Sequence, residues 1–386
     1  MNGACNSSCC QICGEELVKN GRTSAGRQRW RCKSCGSSSI RNRPDVTRRA
    51  QLDAFLGWLL GKQTQKEVST GTTGRTFRHQ TAWCWNVAPE IPVTGEIHDQ
   101  VQVDGIYLGS WCCLIARTPR HVLGWQWCDQ EKTAAWAALL ERFPAPKVVI
   151  SDGGSGLAAA VRRCWPETKV QRCLVHVQRN VRTYLTNRPR TEAGRMLLRI
   201  SKALPRVGTA EQAAAWMASL ANWHAVHGDL TKQRTYRSSG AVAPAWVKAG
   251  QTWWYTHKRL RSAYLLLEKL VKNGTLFTYL DPDHEDLAIE STTNRLEGGI
   301  NTHIRYVLRH HRGMSEEHMK RAVEWFLYMR SEDPQPAWKL IRPEHYAQGK
   351  SRHQHMIDEQ IGPTELGTAL TAEEGLWMRS GWAGRP

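Results

Sequence analysis

Between His98 and Trp165 the hydrophobic pattern takes on the period of strands, and that limits the fold more than any other feature of the chain. HDQVQVDGIYLG, SWCCLIART and HVLGWQWCD are apolar or alternating runs separated by turn residues, the pattern of half-buried strands. KTAAWAALLERF then reads as a helix, PKVVISDGG as a buried strand and SGLAAAVRRCW as a second helix. Three strands, a helix, a strand and a helix predict an α/β layer built on a mixed sheet. Further on the period is mostly helical. AEQAAAWMASLANWHAVHG sets Trp216, Leu220 and Trp223 at helical spacing, and LRSAYLLLEKLVKNG is another amphipathic run. Trp253 and Trp254, beside His257, Lys258 and Arg259, suit either stacking on flipped bases or helix-bundle core, and core is the better expectation. No internal repeat is present, which excludes a solenoid.

Asp104 lies within the first predicted strand and Asp152 at the C-terminal end of the fourth. A carboxylate on an apolar strand is costly unless it is paired or metal-bound. The alternative for Asp152 is a turn, because Gly153 and Gly154 follow it. A third acid comes from STTNRLEGGINTHIRYVLRHHRG, read as a helix that buries Leu296, Ile300, Ile304 and Leu308. Asn294, Glu297, Asn301 and Arg305 run beside that face as a polar stripe. Gly298 and Gly299 inside the helix cost about 1 kcal/mol each. They point to close approach of another backbone or of a substrate, or else to a break in the helix. Glu285 and Glu290 are competing acids off the stripe. Three carboxylates supply the hard oxygen donors with which two Mg²⁺ or Mn²⁺ ions act on a phosphodiester.

The N-terminal region carries a different signature. Cys10-Gln-Ile-Cys13 and Cys32-Lys-Ser-Cys35 make a C-x2-C-x18-C-x2-C spacing, which predicts one closed, structural Zn²⁺ site. Cys9 is an alternative to Cys10, and Cys5 reads as a bystander. Gly14 and Gly36 follow the second Cys of each pair, where a tight turn needs positive φ. The segment between the pairs is basic and offers Arg27, Arg29, Arg31 and Lys33 to DNA. After Pro44, TRRAQLDAFLGWLLG sets Leu52, Phe55, Leu56 and Leu59 on one helical face. Thr64 and Glu67 form a capping box for a short second helix. A TGTTG turn leads into RTFRHQTAWCWN, where Arg75, Arg78, His79 and Gln80 face outward. That order is a helix-turn-helix plan; three helices that bind nothing are the alternative.

Charge agrees with a polyanionic partner. The net charge is +18, and it is concentrated: residues 1–50 hold ten Lys/Arg against three acids, and residues 161–210 hold twelve against two. A merely solvated surface mixes the signs more evenly, so two phosphate-contacting surfaces and salt-dependent binding are expected. A charged helical exterior is the plainer reading of the second block. There is no apolar run of membrane length, and MNGACNSSCCQICGEE lacks the form of a signal peptide. Twelve Cys without an export signal argue for reduced thiols and metal ligation, and 18 Trp with 41% hydrophobic residues exclude wholesale disorder.

VDGIYLG, ISDGGSGL, QRCLVHVQRN and TTNRLEGGIN, in that order, resemble the bacterial insertion-sequence transposases of the Mutator-like DDE group. The resemblance runs from about residue 45 to 330. It implies a ribonuclease H-like mixed sheet interrupted by a large all-helical insertion, with Asp104, Asp152 and Glu297 as catalytic acids and Mg²⁺ ligands. Asp152 and Glu297 lie 145 positions apart, which leaves room for that insertion. Cys173 and His176 match the group's C-x-x-H signature, and with Asn294 and Arg305 they are accessory candidates. For His176 the alternative is half of a structural site or a packed turn. The N-terminal ribbon departs from the commonest members and matches a subgroup that carries one. The expected division is a zinc ribbon over 1–43, a helix-turn-helix over 44–90, a catalytic domain over 96–177 and 289–332, an insertion over 178–288 and an extension over 333–386. The extension, with TAEEGLWMRSGW, matches no known pattern. The expected function is transposition: binding terminal inverted repeats in double-stranded DNA, cleaving at them and joining the ends to target DNA. A homodimer in the bacterial cytoplasm, at the nucleoid and away from membranes, is expected with it. The alternatives are a non-catalytic DNA-binding regulator and a ribonuclease H-like structure-specific nuclease.

Overall fold

The computed structural model describes residues 9–10, 12–13, 15–40, 44–68 and 74–346. They fall into two compact units, one of the described residues up to 90 with 307–326 and 333–346, the other of 91–306 and 327–332. Cys5, Gly14, the turn residues 70–73 and the extension from 347 onward, with TAEEGLWMRSGW, lie outside the described residues.

In the first unit β1 (Leu17–Arg22), β2 (Gln28–Cys32) and β3 (Ser38–Ile40) form an antiparallel sheet in that order. α1 (Pro44–Leu60) buries Leu52, Phe55, Leu56 and Leu59, as its spacing requires. Ahead of α2 (Gln65–Val68) the Thr64 N–H donates to Glu67 Oε2 at 2.6 Å, and the Glu67 N–H donates to Thr64 Oγ1 at 3.4 Å. Each thus satisfies a donor the helix start would leave orphaned. α3 (Gly74–Thr81) buries Phe77 but stops short of the expected RTFRHQTAWCWN. From Ala82 to Asn86 the backbone tightens into a 3₁₀ turn. The tighter turn brings Trp83 to Gln51, its indole N–H donating at 2.9 Å, and sets Trp85 edge-on to Phe55 at 4.7 Å.

The second unit is built on a five-stranded mixed sheet. Its elements are β4 (Gln100–Leu108), β5 (Trp111–Arg117), β6 (Val122–Cys128), α4 (Thr133–Leu140), β7 (Val148–Ser151), α5 (Ser155–Cys164) and β8 (Lys169–Arg172). The strand order is β6-β5-β4-β7-β8, antiparallel on the β6 side and parallel on the β8 side. Strand β8 is an addition to the sequence reading; its KVQR is short and mostly polar. On β4 the period of two sends Val101 and Val103 into a core with Trp136, Leu139 and Trp165. Gln100, Gln102 and Asp104 therefore share the opposite face.

A helical cluster follows: α6 (Leu174–Leu185), α7 (Glu192–Ala203), α8 (Ala210–Lys232) and α9 (Lys258–Lys272). Trp216 and Trp223 are core here. Their indole N–H groups donate to the carbonyls of Ile200 and Ala193, each at 2.9 Å. This region is not all-helical, contrary to expectation. β9 (Arg234–Tyr236) and β10 (Trp253–Tyr255) pair antiparallel, Tyr236 opposite Trp253. The aromatic run Trp253-Trp254-Tyr255 suits a pleated surface better than a helix, and the Arg234 guanidinium lies 4.2 Å above the Trp253 ring. Trp254 is buried. α10 (Thr302–His310) and α11 (Glu316–Tyr328) complete the regular helices. Among the described residues no helix is long and apolar enough to cross a membrane.

Candidate active site

Parallel pairing of β4 with β7 sets Gln102 opposite Ile150. Asp104, in the middle of β4, and Asp152, just past the end of β7, each follow that pair by two residues. Asp152 opens the turn after β7, and its Oδ1 accepts from the Gly154 N–H at 2.9 Å. Asp152 thus makes the turn that was the alternative for it, directly after β7. Gly153 has φ +84°, and any Cβ there would run into the Arg172 side chain, whose guanidinium bonds the Asp152 carbonyl.

Glu297 sits on a π-helical turn, Arg295–Asn301, where a regular helix was expected. One extra residue per turn shifts the faces. Leu296, Ile300 and Ile304 stay buried, but Val307 rather than Leu308 continues that face. Asn301 is turned inward and donates to Asp104 Oδ2 at 2.8 Å. Among the described residues no backbone approaches Gly298 or Gly299, and a Cβ at either would meet open space. Asn294 and Arg305 are exposed, and the stripe that joined them to Glu297 is divided by the wider turn. Glu290 is engaged by Gln102 and by Arg295, the latter at 2.6 Å, and Glu285 is exposed.

The electrostatics are those of carboxylates crowded together. Burial, and then the neighbouring charge of Asp152, push Asp104 up to about 8; His176 opposes the rise, while Glu131 and Glu297 add to it. Glu297 faces His176 Nδ1 at 3.4 Å and the Arg179 guanidinium at 2.5 Å, and it accepts from Thr293 Oγ1 at 3.2 Å. Burial works against a charge on His176. The Cys173 sulfur, Glu297 and Asp104 outweigh it and carry the ring up to about 9. Burial likewise raises the Cys173 thiol, but hydrogen bonds from His176 and Thr293 bring it below its ordinary value. Cys173, His176 and Glu297 place one donor atom each within 4.8 Å of one another, a set able to hold a metal ion.

Three residues of this neighbourhood escaped the sequence reading. Arg179 stands three positions after His176 on α6, a spacing that puts both on one face. Thr293 is four before Glu297. Glu131 immediately precedes Lys132, the N-cap of α4; burial and then the Asp152 charge raise its carboxyl to about 7. An acid at a helix start is ordinary dipole chemistry, which hides such a residue in a sequence.

In the first unit Cys10, Cys13, Cys32 and Cys35 bring their sulfurs within 4.8 Å of one another, with Cys10–Cys35 at 3.5 Å and Cys13–Cys32 at 3.4 Å. Tetrahedral Zn²⁺ with bonds of about 2.3 Å needs sulfurs about 3.8 Å apart, so this donor set fits the ion. Cys10 takes the place for which Cys9 was the alternative. Gly36 has φ +72°, as its turn requires. Arg27, Arg29, Arg31 and Lys33 are exposed, as are Arg75, His79 and Gln80; Arg78 is exposed but donates to Gln65 Oε1 at 2.8 Å. In the second unit, Arg188, Arg195, Arg199 and Lys202 line a cleft of about 360 Å³. Part of the second basic block is thus gathered on one surface.

Residues 111–236 match the family model for transposases of the Mutator family. The match takes in Glu131, Asp152, Cys173 and His176; Asp104 and Glu297 lie outside it. Over 67 residues the chain is 33% identical to the transposase for insertion sequence element IS905 of Lactococcus lactis subsp. lactis (strain IL1403). That alignment covers 16% of this chain and 17% of the relative. The resemblance to Mutator-like insertion-sequence transposases, read from the ordered motifs, is thereby shown.

Proposed function

We propose that the protein is a DNA transposase. It binds terminal inverted repeats, cleaves at them and joins the freed 3′ ends to target DNA, working as a homodimer. In this reading residues 1–43 form a zinc ribbon and 44–90 a helix-turn-helix. Residues 96–177 and 289–332 are the two parts of a ribonuclease H-like catalytic domain around the insertion 178–288. The observation that carries the reading is the placement of Asp104 on β4 and of Asp152 just past the end of the neighbouring β7, each two residues beyond a paired position, with Asp104 lifted to about 8 by burial and by its neighbour. Such a pair is expensive without a cation. Oxygen donors of this kind fit Mg²⁺ or Mn²⁺, and Asp104, Asp152 and Glu297 would hold them. Bound there, two such ions activate a water or a 3′-hydroxyl and stabilise the leaving oxygen of a phosphodiester.

The chain's own groups have separable tasks. Asn301 fixes the rotamer of Asp104 through its bond to Oδ2. His176 and Arg179 hold the Glu297 carboxylate between them. Open space over Gly298 and Gly299 gives a DNA backbone access to Glu297. Arg27, Arg29, Arg31 and Lys33 contact phosphate, while Arg75, Arg78, His79 and Gln80 face the major groove; the helical cleft of Arg188, Arg195, Arg199 and Lys202 adds a second phosphate surface. Asp104→Asn, Asp152→Asn and Glu297→Gln should each abolish cleavage and strand joining on labelled repeat ends while leaving repeat binding intact. Because the acids act as one unit, double variants should be hardly worse than single ones. The exposed Asp99, paired with Lys147 at 2.7 Å, is the control. Full activity in any of the three variants removes that residue from the site.

A further inference from the structure

Gly105 follows Asp104 and Gly156 follows the turn that Asp152 opens, and one residue accounts for both glycines. A Cβ on Gly105, next to Asp104, would lie 2.6 Å from the Glu131 carboxylate. A Cβ on Gly156, near the start of α5 and four positions after Asp152, would run into the Glu131 backbone carbonyl. Each missing side chain is therefore a seat for Glu131: one for its carboxylate, one for its main chain. The seats fall within VDGIYLG and ISDGGSGL, the motifs that carry the two acids. The Glu131 charge also reaches both acids, adding to the burden on Asp104 and being itself disfavoured by Asp152. Among the described residues no hydrogen bond or ion pair engages its carboxylate. A half-buried acid seated beside Gly105 and Gly156 without a donor lacks the cation that would make the arrangement favourable.

We propose that Glu131 is a fourth carboxylate ligand of the divalent-metal site, seated over Gly105 and against Gly156 beside Asp104 and Asp152. The proposal rests on the reading of those two acids as metal ligands. Glu297 is held by His176 and Arg179, so Glu131 is the acid with no competing partner. It would complete the oxygen shell from the α4 side.

The test measures Mn²⁺ binding to the full-length protein by calorimetry and by the electron paramagnetic resonance of the free ion, without DNA. Glu131→Gln should weaken Mn²⁺ binding by about 10–100-fold, the usual loss when a group supporting a metal site is removed. Its melting temperature in chelator should be unchanged or higher, since a crowded charge is gone. Gly105→Ala, which displaces the carboxylate and alters no acid, should weaken binding in the same direction. Asp104→Asn is the parallel arm. If Asp104→Asn weakens binding and Glu131→Gln retains wild-type affinity, Glu131 is not a ligand. If neither variant changes Mn²⁺ binding, the metal-site reading itself fails. A fall in chelator melting temperature for Glu131→Gln, with affinity intact, makes Glu131 a structural residue only.

Discussion

Removing the Asp104 charge should stabilise the metal-free protein, although the proposed function expects it to abolish the chemistry. The folded carboxyl titrates at about 8 because of burial and the nearby Asp152, against an ordinary value of 3.8. For an acid raised in this way the folded state binds the extra proton. Its stabilising contribution is complete below the unfolded value and is lost as pH rises from about 4 to about 8. At pH 9 the cost of ionising Asp104 inside the fold comes to about 6 kcal/mol if nothing relaxes. Water entry and local rearrangement reduce that to roughly 2–4 kcal/mol. Asp104→Asn removes the cost and keeps an oxygen that can accept from Asn301. In chelator at pH 9 the variant should therefore melt ~5–10 °C above the wild type, with the two converging near pH 4. Adding Mg²⁺ should reverse the order, because a bound ion rewards only the ionised wild type. Tryptophan fluorescence melts at both pH values, with and without the ion, measure all four corners. A variant that melts below the wild type at pH 9 in chelator would refute the account of crowded carboxylates.

Two further outcomes follow from the first unit. Purified protein should carry one Zn²⁺, measurable by elemental analysis, and Cys32→Ser should lose it and unfold residues 1–40 while the five-stranded unit keeps its melting transition; zinc-free wild type with an unchanged circular dichroism spectrum would contradict this. Arg29→Ala should lower affinity for all DNA sequences and reduce the salt slope by about one, whereas Gln80→Ala should relax preference at one base position by about 1–3 kcal/mol; salt titrations on matched and mismatched repeats separate the two.

What the chain discloses before it is folded depends on the strength of each local pattern. Strands β4 to β7 are legible because apolar residues alternate or run unbroken between turn residues, and the long insertion helices because Trp216, Leu220 and Trp223 repeat at the helical period. β8 and β9 are four and three residues long, too short to show a period. The 3₁₀ turn after α3 shares its composition with a helix; only the demands of Trp83 and Trp85 settle it. The π turn was hidden because a glycine pair in a helical pattern looks the same whether it marks a break, a close approach or an extra residue. Asp104 and Asp152 were visible as charges where charges are costly. Glu131 was not, because its context only becomes unusual once Gly105 and Gly156 are seen to be vacant for it.

The 145 positions that separate Glu297 from Asp152 also order events in time. A ribosome adding about 5–20 residues per second needs roughly 7–30 s to pass from one acid to the other. During that interval the four N-terminal cysteines, α3, Asp104 and Asp152 already exist, while Glu297 does not. In the function proposed above, a nascent chain would hold DNA well before it could cut it. On the same proposal, any product released between Asp152 and Glu297 would keep the first capacity without the second, and would occupy repeat ends as an inert competitor of the full-length protein.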